Sequence, residues 1–254
     1  MRIAKVAVVT GGDQGLGRTM ALALANVGWD VAFSYIRDEA QALTLEVAIR
    51  DLGRDVFSAR ADAGIKEEVD LFFEGVQNHF GTCATLLINN AGVQTWSSLL
   101  ELKESDWDRV IRTNLKGCFL NTQAAAQRMI SAKKPGTIVN IGSACNKVPF
   151  PNLVDYTASK GGIEQFTKVS AVELGPHGIN VNCVAPGPIE TDRTRAEAPN
   201  YAETWSKVTP MRRVGTPEDV AHAVLFFADE RSDFVSGQTL YVDGGAFTVP
   251  NWPY

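Results

Sequence analysis

Short runs of apolar and β-branched residues alternate along the chain with longer segments in which apolar residues recur at helical spacing. Seven of the runs have the length of buried strands and are bounded by turn residues. We assign them to residues 4–10, 30–35, 55–62, 84–92, 136–143, 179–187 and 238–245. Helical spacing covers 15–28, 38–53, 66–81, about 106–131, a segment from 152 onward, and 216–229. The alternation predicts an α/β fold: a single Rossmann-type doubly wound parallel sheet of about seven strands with helices on both faces.

Turn and cap residues support these boundaries. Gly28 and Gly53 follow helical segments, where a helix end favours glycine. Thr216 and Pro217 are typical of an N-cap and a first helical position. No linker or repeat divides the chain, so we expect one dinucleotide-binding and catalytic domain over 1–254. Within it, the polar and proline-bearing stretch from Pro186 to Pro210 predicts an irregular, lid-like segment at about 187–210.

Composition excludes several classes of protein. The chain has 254 residues, of which 45% are hydrophobic and 21% charged, and its net charge is −5. Without a basic run, no nucleic-acid partner is expected. The four cysteines and three histidines are scattered, which predicts neither a disulfide framework nor a metal site. The apolar runs are too short for a membrane span, and the first residues reach glycine too early for a signal peptide, so we expect a cytoplasmic protein with no membrane partner.

A glycine-rich turn follows the first strand. The sequence TGGDQGLG occupies residues 10–17. Open parallel sheets bind ligands at the carboxyl ends of their strands. Glycines at 11, 15 and 17 allow a tight turn and close approach of the backbone, and the helix beyond offers free N–H groups to a pyrophosphate. This placement favours a dinucleotide site over a plain turn.

Tyr156 and Lys160 lie four residues apart in the stretch NLVDYTASKGGIEQF. In a helix they share one face. A nearby ammonium stabilises a phenolate, so we expect the pKa of Tyr156 to fall from about 10 towards neutral, as a general acid/base requires. The alternative is a surface pair that stabilises the helix only slightly. Gly161 and Gly162 weaken the helix, which indicates the close approach of another group.

The ordered motifs resemble those of the short-chain dehydrogenase/reductase family. They are T-G-x-x-x-G-x-G from Thr10, NNAG at 89–92, TNLKG around Asn114, Ser143 after the fifth strand, Tyr156-x-x-x-Lys160, APGPIET at 185–191 and VDGG at 242–245. Together they cover nearly the whole chain. The Pro-Phe-Pro loop at 149–151 and the proline- and aromatic-rich tail at 250–254 are similar to those of glucose 1-dehydrogenase-like members of the family.

The resemblance implies an NAD(P)-dependent oxidoreductase and assigns roles to four residues. Tyr156 is the implied general acid/base, and Lys160 lowers its pKa and holds the nicotinamide ribose. Ser143 orients the substrate oxygen, and Asn114 anchors a water in a proton relay.

Further positions are implied to contact the cofactor. They are Thr10, Gly11, Gly15, Leu16, Gly17, Ser34, Tyr35, Arg37, Asp62, Ala63, Asn90, Ala91, Gly92, Tyr156, Lys160, Pro186, Gly187, Ile189 and Thr191. Asp62 is the implied adenine contact, with a plain turn or N-cap residue as the alternative.

The end of the second strand bears on the choice of nicotinamide cofactor. An acid there would bond the ribose 2′-hydroxyl and repel a 2′-phosphate, but the strand ends in Ser34 and Tyr35 and is followed by Arg37. We therefore expect NADP(H) to be favoured, with Arg37 pairing with the phosphate. NAD(H) stays possible for two reasons. The alternative interpretation of Arg37 is a solvated surface residue, and Asp13 and Gln14 supply no basic group for a phosphate.

The substrate is expected to be a sugar or another small polar secondary alcohol, which the charged lid could bind by several hydrogen bonds. The alternative is a 3-oxoacyl-(acyl carrier protein) reductase, whose acidic carrier would need a basic patch such as Arg109, Arg112, Lys116 and Arg128. A non-catalytic dinucleotide-binding regulator is a further alternative, against which the intact catalytic motif argues. The family commonly forms tetramers, and apolar residues on two helices support a homotetramer.

Overall fold

All seven predicted strands belong to one parallel sheet. The computed structural model describes residues 5–248. The strands are Val6–Val9 (β1), Asp30–Tyr35 (β2), Val56–Arg60 (β3), Leu86–Asn89 (β4), Gly136–Ile141 (β5), Ile179–Pro186 (β6) and Thr239–Val242 (β7). Their order is β3-β2-β1-β4-β5-β6-β7, and each neighbouring pair is parallel. The predicted fold class is therefore confirmed.

Helices cover both faces of the sheet. They are Gly15–Asn26 (α1), Glu39–Asp51 (α2), Lys66–Phe80 (α3), Glu104–Val110 (α4), Gly117–Ser131 (α5), Val154–Leu174 (α6), Asp192–Glu197 (α7), Tyr201–Val208 (α8) and Pro217–Ala228 (α9). In β1, Ala7 and Val9 join the core formed with α1, α2 and α9, whereas Val6 and Val8 join the core formed with α3 and α5. Alternate residues thus face opposite cores, which is why this strand is apolar throughout.

The strand order reverses at the centre of the sheet. From β1 the chain builds outward through β2 and β3, and then returns to pair β4 with the other side of β1. The carboxyl ends of β1 and β4 are therefore neighbours, with Val9 opposite Ile88. The connecting helices diverge at this point and leave a crevice, the usual ligand site of such sheets.

The long helix predicted for 106–131 differs from the structure in two ways. It begins at Glu104, and residues Ile111–Lys116 form a π-helical segment between α4 and α5. Here the helix packs very closely on the loop after β3: a Cβ at Gly64 would lie 2.7 Å from the Arg112 carbonyl oxygen. Apolar periodicity does not distinguish a π turn from an α turn over so few residues.

The sequence predicted an irregular stretch at 187–210. The structure instead has two short helices there, α7 and α8. The Thr191 side chain accepts a hydrogen bond from the backbone N–H of Thr194, and the Thr194 side chain accepts one from Thr191, so α7 has a capping box. Both helices are short and polar, which hid their periodicity. The tail at 250–254 lies outside the described residues.

The two glycines of α6 differ from each other. A Cβ at Gly162 would lie 2.8 Å from Leu115, which confirms the predicted close approach there. Around Gly161 no described atom lies within 4 Å of such a Cβ. No helix within residues 5–248 is both long and apolar enough to cross a membrane.

Candidate active site

The glycine turn has the shape that a pyrophosphate requires. Gly11 and Gly15 have positive φ angles of 61° and 52°. A Cβ at Gly17 would lie 2.1 Å from the Gly11 carbonyl oxygen, whereas one at Gly15 would meet nothing within 4 Å. Helix α1 has no side-chain cap from Gln14 and no acid in its first turn. Its N–H groups and positive dipole end therefore fit the phosphates of a dinucleotide.

Thr10 and Asn90 attach this turn to the end of β4. The Thr10 hydroxyl accepts hydrogen bonds from the backbone N–H groups of Asn90 and Ala91, both at 3.0 Å. The Asn90 amide donates to the carbonyl oxygens of Thr10 and Gly11, at 3.0 and 2.9 Å. These predicted cofactor residues thus fix the position of the turn.

At the end of β2, the structure separates the predicted residues by role. Ser34 is buried, and its Oγ accepts a hydrogen bond from the Gly11 N–H at 3.3 Å. Tyr35 is half-buried, and Arg37 is exposed. Ser34 therefore supports the turn, while Tyr35 and Arg37 are open to a ligand.

The loop after β3 places Asp62 and Ala63 beside the π-helical segment. The Asp62 carboxylate accepts a hydrogen bond from the Gly64 N–H at 2.9 Å and lies 3.5 Å from the Arg112 guanidinium. Ala63 is buried, and its carbonyl oxygen would lie 3.1 Å from a Cβ at Gly117. Asp62 thus has a structural role in this turn, and its contact with the adenine stays a prediction.

The other predicted positions follow β4 and β6. Leu16 is half-buried in the first turn of α1, and Gly92 is exposed beyond β4. Pro186 ends β6, and a Cβ at Gly187 would lie 2.5 Å from the Asp243 side chain. Ile189 is buried and Thr191 caps α7. The VDGG motif therefore supports the end of β6, which leads to residues 187–210.

Lys160 is the most constrained member of the predicted catalytic set. It is 4% exposed, and its ammonium donates a 2.7 Å hydrogen bond to the carbonyl oxygen of Ile141 at the end of β5. Burial lowers the pKa of Lys160 to about 8. The ammonium lies 5.5 Å from the centroid of the Tyr156 ring, over its face.

We predicted that the pKa of Tyr156 falls, and this prediction is wrong: the residues around Tyr156 raise its pKa. Burial raises this pKa above its ordinary value, and a hydrogen bond with the Ser143 side chain opposes the rise. The positive charge of Arg193 on α7 also lowers it. Lys160 contacts the ring rather than the hydroxyl, which explains why the expected effect of the ammonium is absent.

Asn114 lies in the π-helical segment and is almost fully buried. Its Oδ1 accepts a 2.8 Å hydrogen bond from the Val93 N–H, while its Nδ2 donates to the Val93 carbonyl and to the Ser159 hydroxyl, each at 2.9 Å. Asn114 therefore joins the loop after β4 to α6. A π segment at a side chain with such a role is common at functional sites.

Two members of the catalytic set, Asn114 and Lys160, lie beside Gly92. A Cβ there would lie 3.4 Å from Asn114 Oδ1 and 3.7 Å from Lys160 Nζ. The Lys160 ammonium lies over the Tyr156 ring, and the Ser143 side chain lowers the pKa of Tyr156, which connects the other two members to this pair. Residues distant in sequence thus meet at the carboxyl edge of the sheet.

Sequence reasoning missed an aromatic wall formed by five residues. It links Trp96 to Phe150, Phe150 to Trp205, and Trp205 to both Tyr201 and Phe247, with ring centroids 5.9 to 6.2 Å apart. The loops after β4, β5 and β7 meet α8 in this way. Only Phe150 was singled out in the sequence, because the other rings come from segments without a motif.

A buried polar network behind the site was also missed. Asn89 Nδ2 donates to Asn140 Oδ1 at 2.8 Å and to the Thr122 hydroxyl at 2.9 Å. Asn140 Nδ2 in turn donates to the Thr167 hydroxyl at 2.9 Å. The two asparagines stand opposite each other on β4 and β5, so the network joins the sheet to α5 and α6. A polar residue within an apolar strand was the available signal.

The crevice, glycine turn and polar cluster define a dinucleotide-binding protein of Rossmann type. A family model described as Enoyl-(Acyl carrier protein) reductase matches residues 11–247. The 3-oxoacyl-(acyl carrier protein) reductase FabG of Staphylococcus aureus (strain Mu50) is 37% identical over 247 residues, which cover 97% of this chain and all of the relative. The chain belongs to the short-chain dehydrogenase/reductase family and is an NAD(P)-dependent oxidoreductase.

Two solved structures have the same fold. An Agrobacterium tumefaciens protein provisionally assigned as a gluconate dehydrogenase superposes with a TM-score of 0.91 at 34% identity, covering 97% of both chains. Acetoin dehydrogenase from Enterobacter cloacae superposes with a TM-score of 0.90 at 31% identity, covering 100% of both.

Proposed function

We propose that the protein transfers a hydride between a nicotinamide cofactor and a small polar secondary alcohol or the matching carbonyl compound, with Tyr156 as general acid/base. The proximity of Asn114 and Lys160 to Gly92 carries this proposal, together with the position of the Lys160 ammonium over the Tyr156 ring and the effect of Ser143 on the pKa of Tyr156. Oxidation of an alcohol removes a hydride from carbon and a proton from oxygen, and the polar cluster supplies groups for the proton.

Each side chain has a distinct part in the proton transfer. The Ser143 hydroxyl hydrogen-bonds the substrate oxygen and orients it towards Tyr156. The Tyr156 phenolate, which the positive charge of a bound oxidised nicotinamide would favour, takes the hydroxyl proton as the carbonyl forms. Lys160 is mostly protonated at neutral pH, because its pKa is about 8, and its positive charge favours anionic groups in the crevice. Asn114 holds the loop after β4 in place. The nicotinamide cofactor, when bound, accepts or donates the hydride.

The substrate class is inferred from the aromatic wall and the lid. Aromatic faces stack well on the C–H surfaces of polyhydroxy compounds. On the lid, Arg195 is neutralised by Asp192 and Glu190, at 2.6 and 3.6 Å. Arg193 lies 3.8 Å from Glu197 and also acts electrostatically on both Tyr156 and Lys160. A site with the Arg193 charge near the reacting atoms suits a small polar substrate, whereas a long acyl chain would favour an apolar groove.

We propose that residues 187–210 act as a lid. Glu197 of α7 lies 3.4 Å from the amide of Gln94 in the loop after β4, and Tyr201 and Trp205 of α8 extend the aromatic wall. The two short helices therefore contact the far side of the crevice. Gluconate and acetoin, for which two structural relatives are named, are small hydroxy compounds, in agreement with such an enclosed site.

The alternative is the reduction of 3-oxoacyl thioesters, which FabG, the relative at 37% identity, is named for. The basic groups that would attract an acidic carrier are largely engaged. Arg109 lies 3.3 Å from Asp106, and Arg112 lies 3.5 Å from Asp62. Arg128 donates to two backbone carbonyls. Lys116 alone is exposed without such a contact among the described residues, so the patch is weak.

A substrate panel tests the proposal. Aldoses, small polyols and hydroxy acids are compared with a β-ketoacyl thioester at matched concentrations, with NAD(H) and NADP(H), by nicotinamide absorbance. We expect turnover of at least one polyhydroxy compound to exceed that of the thioester. Much faster turnover of the thioester would instead support the reductase alternative.

The preference for NADP(H) expected from the sequence rests on Arg37. This residue is exposed, and among residues 5–248 its guanidinium makes no hydrogen bond or ion pair. Arg37 is therefore the feature that supports binding of a 2′-phosphate.

We also propose a homotetramer. Helices α5 and α6 expose Phe119, Val169 and Val172, and the Phe119 and Phe166 rings touch edge to face at 6.4 Å. Apolar faces of this kind on two adjacent helices suit pairing about two-fold axes.

A further inference from the structure

The glycine turn brings an acid to the end of β2, where the sequence has none. The backbone N–H of Gly12 donates to the Ser34 carbonyl at 2.9 Å, and that of Gly11 donates to Ser34 Oγ at 3.3 Å. A Cβ at Gly12 would lie 2.5 Å from the Phe33 side chain. The turn is therefore pressed against the last residues of β2, and Asp13 follows directly.

Asp13 is 4% exposed. Burial raises the pKa of its carboxyl, its own backbone hydrogen bond opposes the rise, and the negative charge of Asp38 adds to it. No ion pair involves Asp13 within residues 5–248. A buried carboxylate with so little compensation is costly unless a ligand supplies donors.

The surroundings of Asp13 are acidic. Burial is the largest cause of the raised pKa of Tyr35; Glu39, Glu46 and Asp13 add to it, while the positive charge of Arg60 opposes it. Two nearby arginines are occupied by backbone carbonyls: Arg18 donates to Gln41 and Arg60 to Ile36. Arg37 is exposed, and within residues 5–248 its guanidinium has no ion pair.

In a Rossmann crevice the pyrophosphate lies at the start of α1, so the adenosine ribose lies over the end of β2. Its 2′- and 3′-hydroxyls are donors that a buried carboxylate can accept. A 2′-phosphate in the same place would add a charge of about −1.5 to −2 beside Asp13 and Asp38. We propose that Asp13 binds the ribose hydroxyls of the cofactor and makes NAD(H) the preferred nicotinamide dinucleotide.

This inference rests on the proposed function and departs from the NADP(H) preference expected from Tyr35 and Arg37. Tyr35 and Arg37 are neighbours along the chain at the end of β2. The fold adds a residue from a different turn to the same place, and that residue has the opposite charge to Arg37.

Equilibrium binding tests the inference without turnover. NAD⁺ and NADP⁺ are titrated separately into the full chain by calorimetry. We expect the wild-type protein to bind NAD⁺ at least about tenfold more tightly than NADP⁺, since like charges across a contact are strongly unfavourable. In Asp13→Asn, which keeps the shape, the ratio of the two Kd values should shift towards NADP⁺ by at least about tenfold. Asp51→Asn removes an exposed acid at the far end of α2 and should leave the ratio unchanged.

Two further measurements keep the test independent of the folding of one variant. Asp13→Ser should shift the ratio in the same direction as Asp13→Asn. In the wild-type protein, higher salt should reduce the discrimination against NADP⁺, because screening weakens repulsion. A wild-type preference for NADP⁺, or a ratio unchanged in both Asp13 variants, would overturn the role of Asp13. If neither dinucleotide bound, the proposed function itself would fail.

Discussion

At the scale of single residues, the candidate chemistry depends on how Tyr156 is held. The Ser143 side chain and the Arg193 charge on α7 both lower its pKa, and its ring lies under the Lys160 ammonium. Three elements, the loop after β5, α6 and α7, therefore set the protonation of one group.

The first prediction concerns Tyr156 itself. Tyr156→Phe removes the transferable proton and little volume, so kcat should fall at least about a hundredfold, the range of general acid/base catalysis. The Kd of the preferred nicotinamide should stay nearly unchanged. Tyr241→Phe is the matched control, since the Tyr241 hydroxyl donates to Glu164 on α6 instead. Nearly full activity in Tyr156→Phe would refute the catalytic assignment.

A second prediction follows from the charge of Arg193. Alcohol oxidation needs the Tyr156 phenolate, so kcat/KM should rise with pH through the pKa of that group. Since the cation lowers this pKa, Arg193→Ala should move the rising limb to higher pH.

Arg193→Lys keeps the charge of this residue and should leave the limb of the pH profile near its wild-type position. The measurement is the pH profile of kcat/KM with one alcohol. A limb that stays in place in Arg193→Ala would show that the charge of Arg193 does not affect the pKa of Tyr156.

What the sequence could predict at this scale depends on spacing. Tyr156 and Lys160 are four apart on one helix, so their common face was predictable from helical geometry alone. Their contact was not, because the Lys160 ammonium turns to the Ile141 carbonyl on another strand. The position of Asp13 beside Tyr35 was likewise not predictable from the sequence, because it depends on the packing of two strands.

At the scale of secondary-structure elements, the buried polar network joins β4 and β5 to two helices. Asn140 has partners on three sides: the Asn89 amide, the Thr167 hydroxyl and the Cys118 thiol. If one side chain of this network is removed, its former hydrogen-bonding partners stay buried without a partner, and their desolvation is no longer compensated.

We therefore predict that Asn140→Ala lowers the free energy of unfolding by about 1–3 kcal/mol. Urea denaturation followed by circular dichroism measures this change. Asn78→Ala, on the exposed side of α3, is the control and should change it by less than about 0.5 kcal/mol. Equal effects of the two substitutions would mean that the network contributes no stability.

The strands and most helices were predictable because their buried residues recur with the regular spacing of a strand or a helix. β2 was assigned to 30–35 and is Asp30–Tyr35, since each residue of a central parallel strand faces an apolar layer. The π-helical segment was not predictable, because it arises where Gly64 and Gly117 let two backbones approach. Helices α7 and α8 were missed because their partners lie on distant loops rather than on the sheet.

At the scale of the whole molecule, one surface of the chain carries more apolar area than its own fold needs. Val172 is 76% exposed on α6, and Val169 beside it and Phe119 on α5 are exposed as well. Gly161 on α6 also leaves room above its backbone. The fold accounts for the other face of α6, which packs on the sheet, but not for this one.

The last prediction tests whether this surface joins copies of the chain. We expect light scattering at micromolar concentration to show a tetramer for the wild-type protein, since a second two-fold axis closes a dimer of dimers. Val172→Asp places a charge in the apolar contact and should produce smaller species, because an unpaired charge is costly to bury. Val47→Asp is the matched control: Val47 is 55% exposed on α2, on the opposite side of the sheet, and the change in charge is the same. This control should keep the wild-type mass. A monomeric wild-type protein would reject the assembly, and a tetramer that persists in Val172→Asp would place the interface on a different surface.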